Sequence, residues 1–183
     1  MKRALILLTA TIFFYSTPLS AQVDCQSGNC VDGKGVCTYP SGARYEGHFK
    51  DGKPSGEGTL FFSDGRTYRG EWKQGFKQGI GLLEYPNKDK YSGEFTDNKF
   101  HGRGIMKYAN GNRLEGQWVN GQKSGRGSYY FANGDRYEGR FQTDQFEGSG
   151  TMYYSDGSIY KGQWHANKRH GRGTLAFPAG EKI

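Results

Sequence analysis

From Tyr45 onward the sequence repeats every 23 residues without an insertion. Such a chain is restricted to architectures in which one small unit stacks on the next. The units begin at Tyr45, Tyr68, Tyr91, Leu114, Tyr137 and Tyr160. Position 3 of each unit is glycine (Gly47, Gly70, Gly93, Gly116, Gly139, Gly162), as are positions 12 and 14 (Gly56 and Gly58 through Gly171 and Gly173). Position 5 is always Phe or Trp, and positions 16 and 18 are large and apolar or aromatic, as in Leu60/Phe62 and Met106/Tyr108. The spacing is two, twice over, with polar residues between, so each unit reads as two strands with one apolar face apiece. Asp51-Gly52 and Asn120-Gly121 punctuate the first turn, and Asn110-Gly111 and Asp156-Gly157 the second; both residue types tolerate the positive φ of a tight hairpin. No stretch has a helix-length apolar period.

Glycine normally weakens a strand interior. Here the 30 glycines fall in register with 13 Tyr and 12 Phe, a combination foreign to disordered chains, which are poor in aromatics. The expected reason is room: a ring laid across bare backbone buries area that a single-layer sheet cannot bury against a second layer. Each ring buries about 150–250 Å² when fully packed. The strip consists of Tyr45, Phe49, Tyr68, Trp72, Tyr91, Phe95, Trp118, Tyr137, Phe141, Tyr160 and Trp164. It is expected to remain partly exposed and to offer a binding face. Basic residues recur at positions 10 and 13 (Lys77, Arg103, Lys123, Arg126, Arg169, Arg172) and are expected to form one positive edge beside a set of turns.

These residues carry a resemblance. Tyr91-Ser92-Gly93-Glu94-Phe95 followed by His101-Gly102-Arg103-Gly104, and Tyr160-Lys161-Gly162-Gln163-Trp164 followed by His170-Gly171-Arg172-Gly173, resemble the MORN (membrane occupation and recognition nexus) repeat family. The resemblance covers residues 45–182, with a half unit before it from Gly33 to Gly42. It implies an all-β fold, an elongated single-layer antiparallel sheet of tandem 23-residue β-hairpins, used as a scaffold; lipid binding has been proposed for some members. Leu114 for the leading Tyr, Asn98, Asp144 and Asn167 at position 8, and Lys88 for Gly at position 21 depart from the pattern at turns or edges. About 13 strands are expected, roughly 60 Å along the stacking axis at a spacing of ~4.8 Å, ending in a strand from Arg172 to Pro178.

Residues 1–21 read as a secretory signal peptide: Lys2 and Arg3, an apolar run from Ala4 to Tyr15 too short to span a bilayer comfortably, then a small-residue exit at Ala21. Export implies periplasm, outer envelope or medium if the source is bacterial. Removing Lys2 and Arg3 lowers the net charge from +7 by two, to +5. Residues 22–44 form an N-terminal cap in which an oxidising compartment favours a Cys25–Cys30 disulfide, leaving Cys37 reduced at a position filled elsewhere by Leu, Met or Tyr.

No enzyme is expected. Gly47 to Pro54 superficially resembles a phosphate loop, but Pro54 stands where Ser or Thr belongs and no helix follows. His101 and His170 occupy one repeat position three units apart, about 29 Å at sheet spacing. His165 and His170 flank the last hairpin turn, which is too few ligands for a metal. Glu46, Glu71, Glu94, Glu115 and Glu138 recur with the repeat rather than forming a catalytic pair. The expected role is protein binding by a secreted scaffold, with no cofactor and no nucleic acid. The alternative is peripheral binding to anionic lipid or an envelope polymer. The final strand, uncovered at its edge, is expected to support homo-oligomerisation or partner docking.

Overall fold

The computed structural model describes residues 23–178, and the expected signal peptide lies outside the described residues. The fold is one open antiparallel sheet in which every strand pairs with its sequence neighbours. The strands are β1 (Asp24–Gly28), β2 (Gly33–Thr38), β3 (Arg44–Lys50), β4 (Lys53–Phe61), β5 (Thr67–Lys73), β6 (Phe76–Glu84), β7 (Lys90–Thr96), β8 (Lys99–Lys107), β9 (Arg113–Val119), β10 (Gln122–Tyr130), β11 (Arg136–Gln142), β12 (Gln145–Tyr153), β13 (Ile159–His165) and β14 (Lys168–Ala176).

There are 14 strands rather than 13. The addition is β1, whose Asp-Cys-Gln-Ser-Gly has no hydrophobic alternation. Backbone pairing with β2 (Cys25↔Cys37, Gly28↔Gly35) and the Cys25–Cys30 disulfide hold it in place. Cys37 is a free thiol, fully buried, and burial pushes its pKa up. The last strand starts at Lys168, earlier than expected, because the bulge glycine Gly171 lies inside it.

Each repeat pairs a seven-residue strand with a nine-residue one. The surplus is absorbed in a bulge at the position-12 glycine, held at positive φ in every repeat (Gly56 85°, Gly79 61°, Gly102 56°, for example). Beyond it, position 3 faces position 14 of the same repeat as bare Gly–Gly pairs: Gly47↔Gly58, Gly70↔Gly81, Gly93↔Gly104. Positions 7 and 8 both have positive φ, the type I′ geometry that matches strand twist: Asp51 52° and Gly52 70°, Asn120 52° and Gly121 88°.

Neighbouring turns are stitched together. The position-8 amide donates to the position-10 carbonyl of the preceding repeat, as in Gly75 to Pro54 at 2.8 Å and Gly121 to Phe100 at 2.9 Å. Where position 8 is Asn or Asp, its side chain also accepts the position-10 amide of that preceding repeat: Lys77 to Asn98, Lys123 to Asp144 and Phe146 to Asn167, at 2.8–2.9 Å. These departures from glycine therefore add a bond between repeats. At the opposite end, the position-22 side chain accepts the position-19 amide of the next repeat: Ala109 to Asp89, Ala132 to Asn112 and Ser155 to Asp135, at 2.7–2.8 Å. Where position 22 carries no carboxylate or amide, at Arg66 and Ser158, the next position 19 is Pro86 or Pro178, which has no N–H to satisfy and packs on the facing Gly65 or Gly157.

Candidate functional site

The sheet has two unlike faces. On the ring face each position-1 tyrosine lies flat over the Gly–Gly pair, and its hydroxyl donates to the position-4 carbonyl of its own repeat: Tyr45 to His48, Tyr68 to Glu71, Tyr91 to Glu94, Tyr137 to Arg140 and Tyr160 to Gln163, at 3.0–3.2 Å. An alanine Cβ at Gly93 would sit 2.8 Å from the Tyr91 hydroxyl and 2.5 Å from Gly104 Cα, so the ring needs the missing side chain. Each tyrosine meets edge-on the position-5 ring of its own repeat and that of the next: Tyr45 with Phe49 (5.1 Å) and Trp72 (5.3 Å), Tyr68 with Trp72 (5.1 Å) and Phe95 (4.9 Å). The herringbone continues through Tyr91–Trp118, Tyr137–Phe141, Tyr137–Trp164 and Tyr160–Trp164.

This geometry corrects the expectation of an exposed strip. Tyr45, Tyr68, Tyr91 and Tyr137 have no exposed surface, and Phe49, Trp72, Phe95, Trp118, Phe141, Tyr160 and Trp164 are all buried. The rings tile one another and are the core. Burial pushes the Tyr137 hydroxyl up to about 12 and those of Tyr45, Tyr68 and Tyr91 further up. What solvent meets on this face is the fringe around them, half-buried Tyr39, Leu60, Phe62, Tyr85 and Tyr154 among it. Near the N-terminal end Tyr39, Leu60, Phe62 and Trp72 line an open groove of about 530 Å³.

The expected basic edge does not exist as one feature. Position 10 pairs with position 5 (Trp72↔Lys77, Trp118↔Lys123, Trp164↔Arg169) and so belongs to the ring face. Lys77 sits 5.4 Å from the Phe62 ring and 5.5 Å from Tyr68, and burial lowers its pKa; Arg169 lies 5.2 Å over Tyr160. Where position 10 is Phe it stacks flat on the tyrosine, Phe100 on Tyr91 and Phe146 on Tyr137, both at 3.8 Å. Beyond the bulge, position 13 pairs with position 4 of the next repeat (Arg103↔Gln117, Arg126↔Arg140) and faces the back, as does Arg172 at the same position in β14. The two positions stand three residues apart on one strand, an odd spacing that alternation sends to opposite faces.

The back face is polar, with shallow open grooves, one lined by Glu46, His48, Glu57, Arg69 and Glu71, another by Arg103, Glu115, Gln117 and Arg126. Acids at position 4 serve the backbone. Glu71 accepts the Ile80 amide at 2.9 Å and Glu94 the Arg103 amide at 2.8 Å, satisfying the N–H that each bulge frees. The residues of the resembling phosphate loop form the β3–β4 hairpin, with no helix terminus to present. His165 and His170 do approach, with ring centroids 5.6 Å apart, and His165 bonds Glu147, which lowers that carboxyl's pKa. No cluster of three or more metal-ligating side chains forms among the described residues.

The fold is shared with the SAS-4 (dCPAP) TCP domain of Drosophila melanogaster, solved in complex with a proline-rich motif of Ana2 (dSTIL). The superposition covers 100% of this chain and 96% of that one, with a TM-score of 0.55 and 16% identity. The TCP10c domain of Drosophila melanogaster Sas-4 matches 86% of this chain and all of its own at a TM-score of 0.47 and 12% identity. A MORN repeat model matches seven consecutive segments, 32–44, 45–65, 68–90, 91–113, 115–136, 137–159 and 160–182. With glycine pairs, tiled rings and hairpin stacking in register across those segments, the chain belongs to the MORN repeat family.

Proposed function

We propose that this chain is a secreted scaffold that binds an extended apolar or proline-rich segment of a protein partner on its ring face. One observation carries the reading: an open groove of about 530 Å³ lined by Tyr39, Leu60, Phe62 and Trp72, where apolar side chains at the fringe of the closed aromatic tiling form a concave surface open to solvent. Aromatic-lined grooves accept polyproline segments because such a ligand arrives already extended and loses little entropy on docking. The TCP domain with the same fold was solved holding a proline-rich motif. The leader at residues 1–21 and the Cys25–Cys30 disulfide support export to an oxidising compartment. The exposed edge of β14 offers a second route to a partner, by strand addition.

A lipid-binding role asks for cations and exposed rings on one side. Lys77, Lys123 and Arg169 are on the ring face and Arg103 and Arg126 behind it, so protein binding is the better reading. Crosslinking in the native compartment, with Phe62→Ser as the comparison and its melting curve as the control for folding, tests the proposal. Loss of the captured partner in a folded Phe62→Ser variant supports the groove. Unchanged capture moves the site elsewhere. Flotation with anionic but not neutral vesicles would instead favour the lipid reading.

A further inference from the structure

The back face carries a charge pattern that the repeat does not explain. Positions 4 and 13 of successive repeats form one row along the sheet, through the pairs Glu57↔Glu71, Ile80↔Glu94, Arg103↔Gln117 and Arg126↔Arg140. Its acids are Glu57 on β4, Glu71 on β5 and Glu94 on β7; its cations include Arg103 on β8, Arg126 on β10 and Arg140 on β11. From β4 to β7 the row is acidic and from β8 to β11 it is basic; Lys34 on β2, beside His48, is a cation at its N-terminal end. Two cross-strand pairs place like charges opposite each other, Glu57 beside Glu71 and Arg126 beside Arg140, an arrangement that destabilises an isolated sheet. Among the described residues none of these six side chains has an ion-pair partner, whereas the neighbouring row is internally neutralised by Arg44–Glu46, Lys90–Glu84, Arg113–Glu115 and Arg136–Glu138. The amide bonds to Glu71 and Glu94 fix those carboxylates without cancelling their charge.

Taken in reverse strand order, the stretch of the row from β4 to β11 is its own complement. A two-fold axis parallel to the strands, passing between β7 and β8, keeps the row facing itself and exchanges the first strand with the last, the second with the thirteenth, and so on. Glu94 on β7 then meets Arg103 on β8, Glu71 on β5 meets Arg126 on β10, and Glu57 on β4 meets Arg140 on β11. The axis falls at the midpoint of the 14 strands. The same operation brings together two exposed apolar side chains on that face, Phe76 on β6 (49% exposed) and Val119 on β9 (47% exposed). Lys90 and Lys107 meet near the axis, and Glu84, bonded to Lys90, supplies the counter-charge there.

We propose that a second copy of this chain docks back to back on this face in an isologous two-fold dimer. Each of the three charge pairs is made twice, and the operation closes, so the assembly stops at two. The ring-face groove stays free on both copies, and the dimer would present two partner sites pointing apart.

Sedimentation velocity on the full chain tests this, with two triple variants: Glu57→Arg/Glu71→Arg/Glu94→Arg, and Arg103→Glu/Arg126→Glu/Arg140→Glu. The wild type is expected to be dimeric at low salt and to dissociate as salt screens the pairs. Each reversal alone should be monomeric, because like charges then oppose across the axis, and an equimolar mixture should form the dimer again. Because Glu71 and Glu94 also cap bulges, a Glu57→Gln/Glu71→Gln/Glu94→Gln variant keeps the acceptors while removing the charge. It should melt like the wild type and weaken the dimer by at least about tenfold in Kd. A wild type that stays monomeric, a dimer that survives both reversals (edge pairing through β14 would do so), or reversed chains that do not recombine would overturn the proposal. Failure of the groove variant above would leave it untouched, since the two faces are separate.

Discussion

The repeat that begins at Leu114 and the one before it, which begins at Tyr91, have the same length, turns and register but different centres. In the Tyr91 repeat the hydroxyl holds the Glu94 carbonyl at 3.0 Å, the ring stacks on Phe100, and its edges meet Phe95 and Trp118. Leu114 is as deeply buried as any tyrosine, yet it has no hydroxyl and no flat face. One member of its glycine pair is uncovered accordingly: a Cβ at Gly116 would find its nearest atoms at 3.3 and 3.4 Å, all backbone, whereas one at Gly127 would still meet the Glu115 carbonyl at 2.7 Å and the Phe141 ring at 3.2 Å. In the same repeat the indole N–H of Trp118 is buried without an acceptor, while Trp72 and Trp164 donate to the Gly58 and Gly150 carbonyls at 3.2 Å. The contrast shows that glycine and tyrosine are one device. Remove the ring and the position-3 glycine beneath it loses its steric reason, although position 14 stays crowded and the strand pairing continues because neighbouring repeats hold the register.

Copying Leu114 into its neighbour should give the largest effect. Tyr91→Leu removes one buried hydroxyl and the stack on Phe100, and a loss of about 3 kcal/mol is expected in denaturant melts, within the range for large core truncations. It also changes the response to alkali. A tyrosine whose folded pKa is raised contributes stability that is whole below pH ~10 and is lost as pH climbs towards the folded value. Tyr45, Tyr68, Tyr91 and Tyr137 all have this sign. Stability should therefore fall steeply above pH ~10, and Tyr91→Leu should reduce the slope by about 1.4 kcal/mol per pH unit.

Next comes an alanine at position 3. Gly93→Ala drives a methyl into the Tyr91 hydroxyl and Gly104 Cα and should cost about 2–3 kcal/mol, whereas Gly116→Ala should cost under ~1 kcal/mol. Equal losses at the two sites would mean that glycine serves the backbone rather than the ring. A smaller difference should appear at the indoles. Trp72→Phe breaks a bond to Gly58 and leaves that carbonyl short, while Trp118→Phe removes a donor that had no partner. The first should be the more destabilising by about 1 kcal/mol.

Much of this is legible in the sequence because the period is strict. The units, the two turn types, the rings over glycine and the Cys25–Cys30 bond are all read from residue types at fixed spacings. Face assignment is legible in the alternation and lost when residues are grouped by nearness to a turn. Positions 10 and 13 stand an odd number of residues apart on one strand, so Lys77 and Arg103, which such grouping puts on one edge, lie on opposite faces. The charge order of the back row lies between repeats: Glu57 and Glu71 become neighbours through the register of β4 on β5 across the Asp64-Gly65 turn, which one repeat read alone does not show. Ring burial escapes the sequence because a single-layer sheet suggests open rings; tiling by the next repeat closes them. The bonding of position 8 and the proline rule at position 19 link residues about twenty apart, a relation that a reading confined to one repeat does not contain.

The smallest expected effect separates core departures from turn departures. Lys88 stands where Gly65, Gly111, Gly134 and Gly157 stand in other repeats, and it takes up the same left-handed backbone, with φ 73° against 86–94°. The turn is unchanged: its amide still donates to the Tyr85 carbonyl at 2.9 Å. A side chain with a Cβ is strained there by about 1 kcal/mol, partly offset because glycine is freer in the unfolded chain. Lys88→Gly should therefore raise stability by about 0.5 kcal/mol, and Gly134→Lys, which transplants the departure into the Leu114 repeat, should lower it by a similar amount. Both shifts are read from paired thermal melts. If Gly134→Lys costs several times more than Lys88→Gly gains, the Leu114 repeat is weakened beyond its core and its turn depends on the missing ring. If the two match, the turns are independent of the tiling, and the repeat can lose a tyrosine at one end without loosening the other.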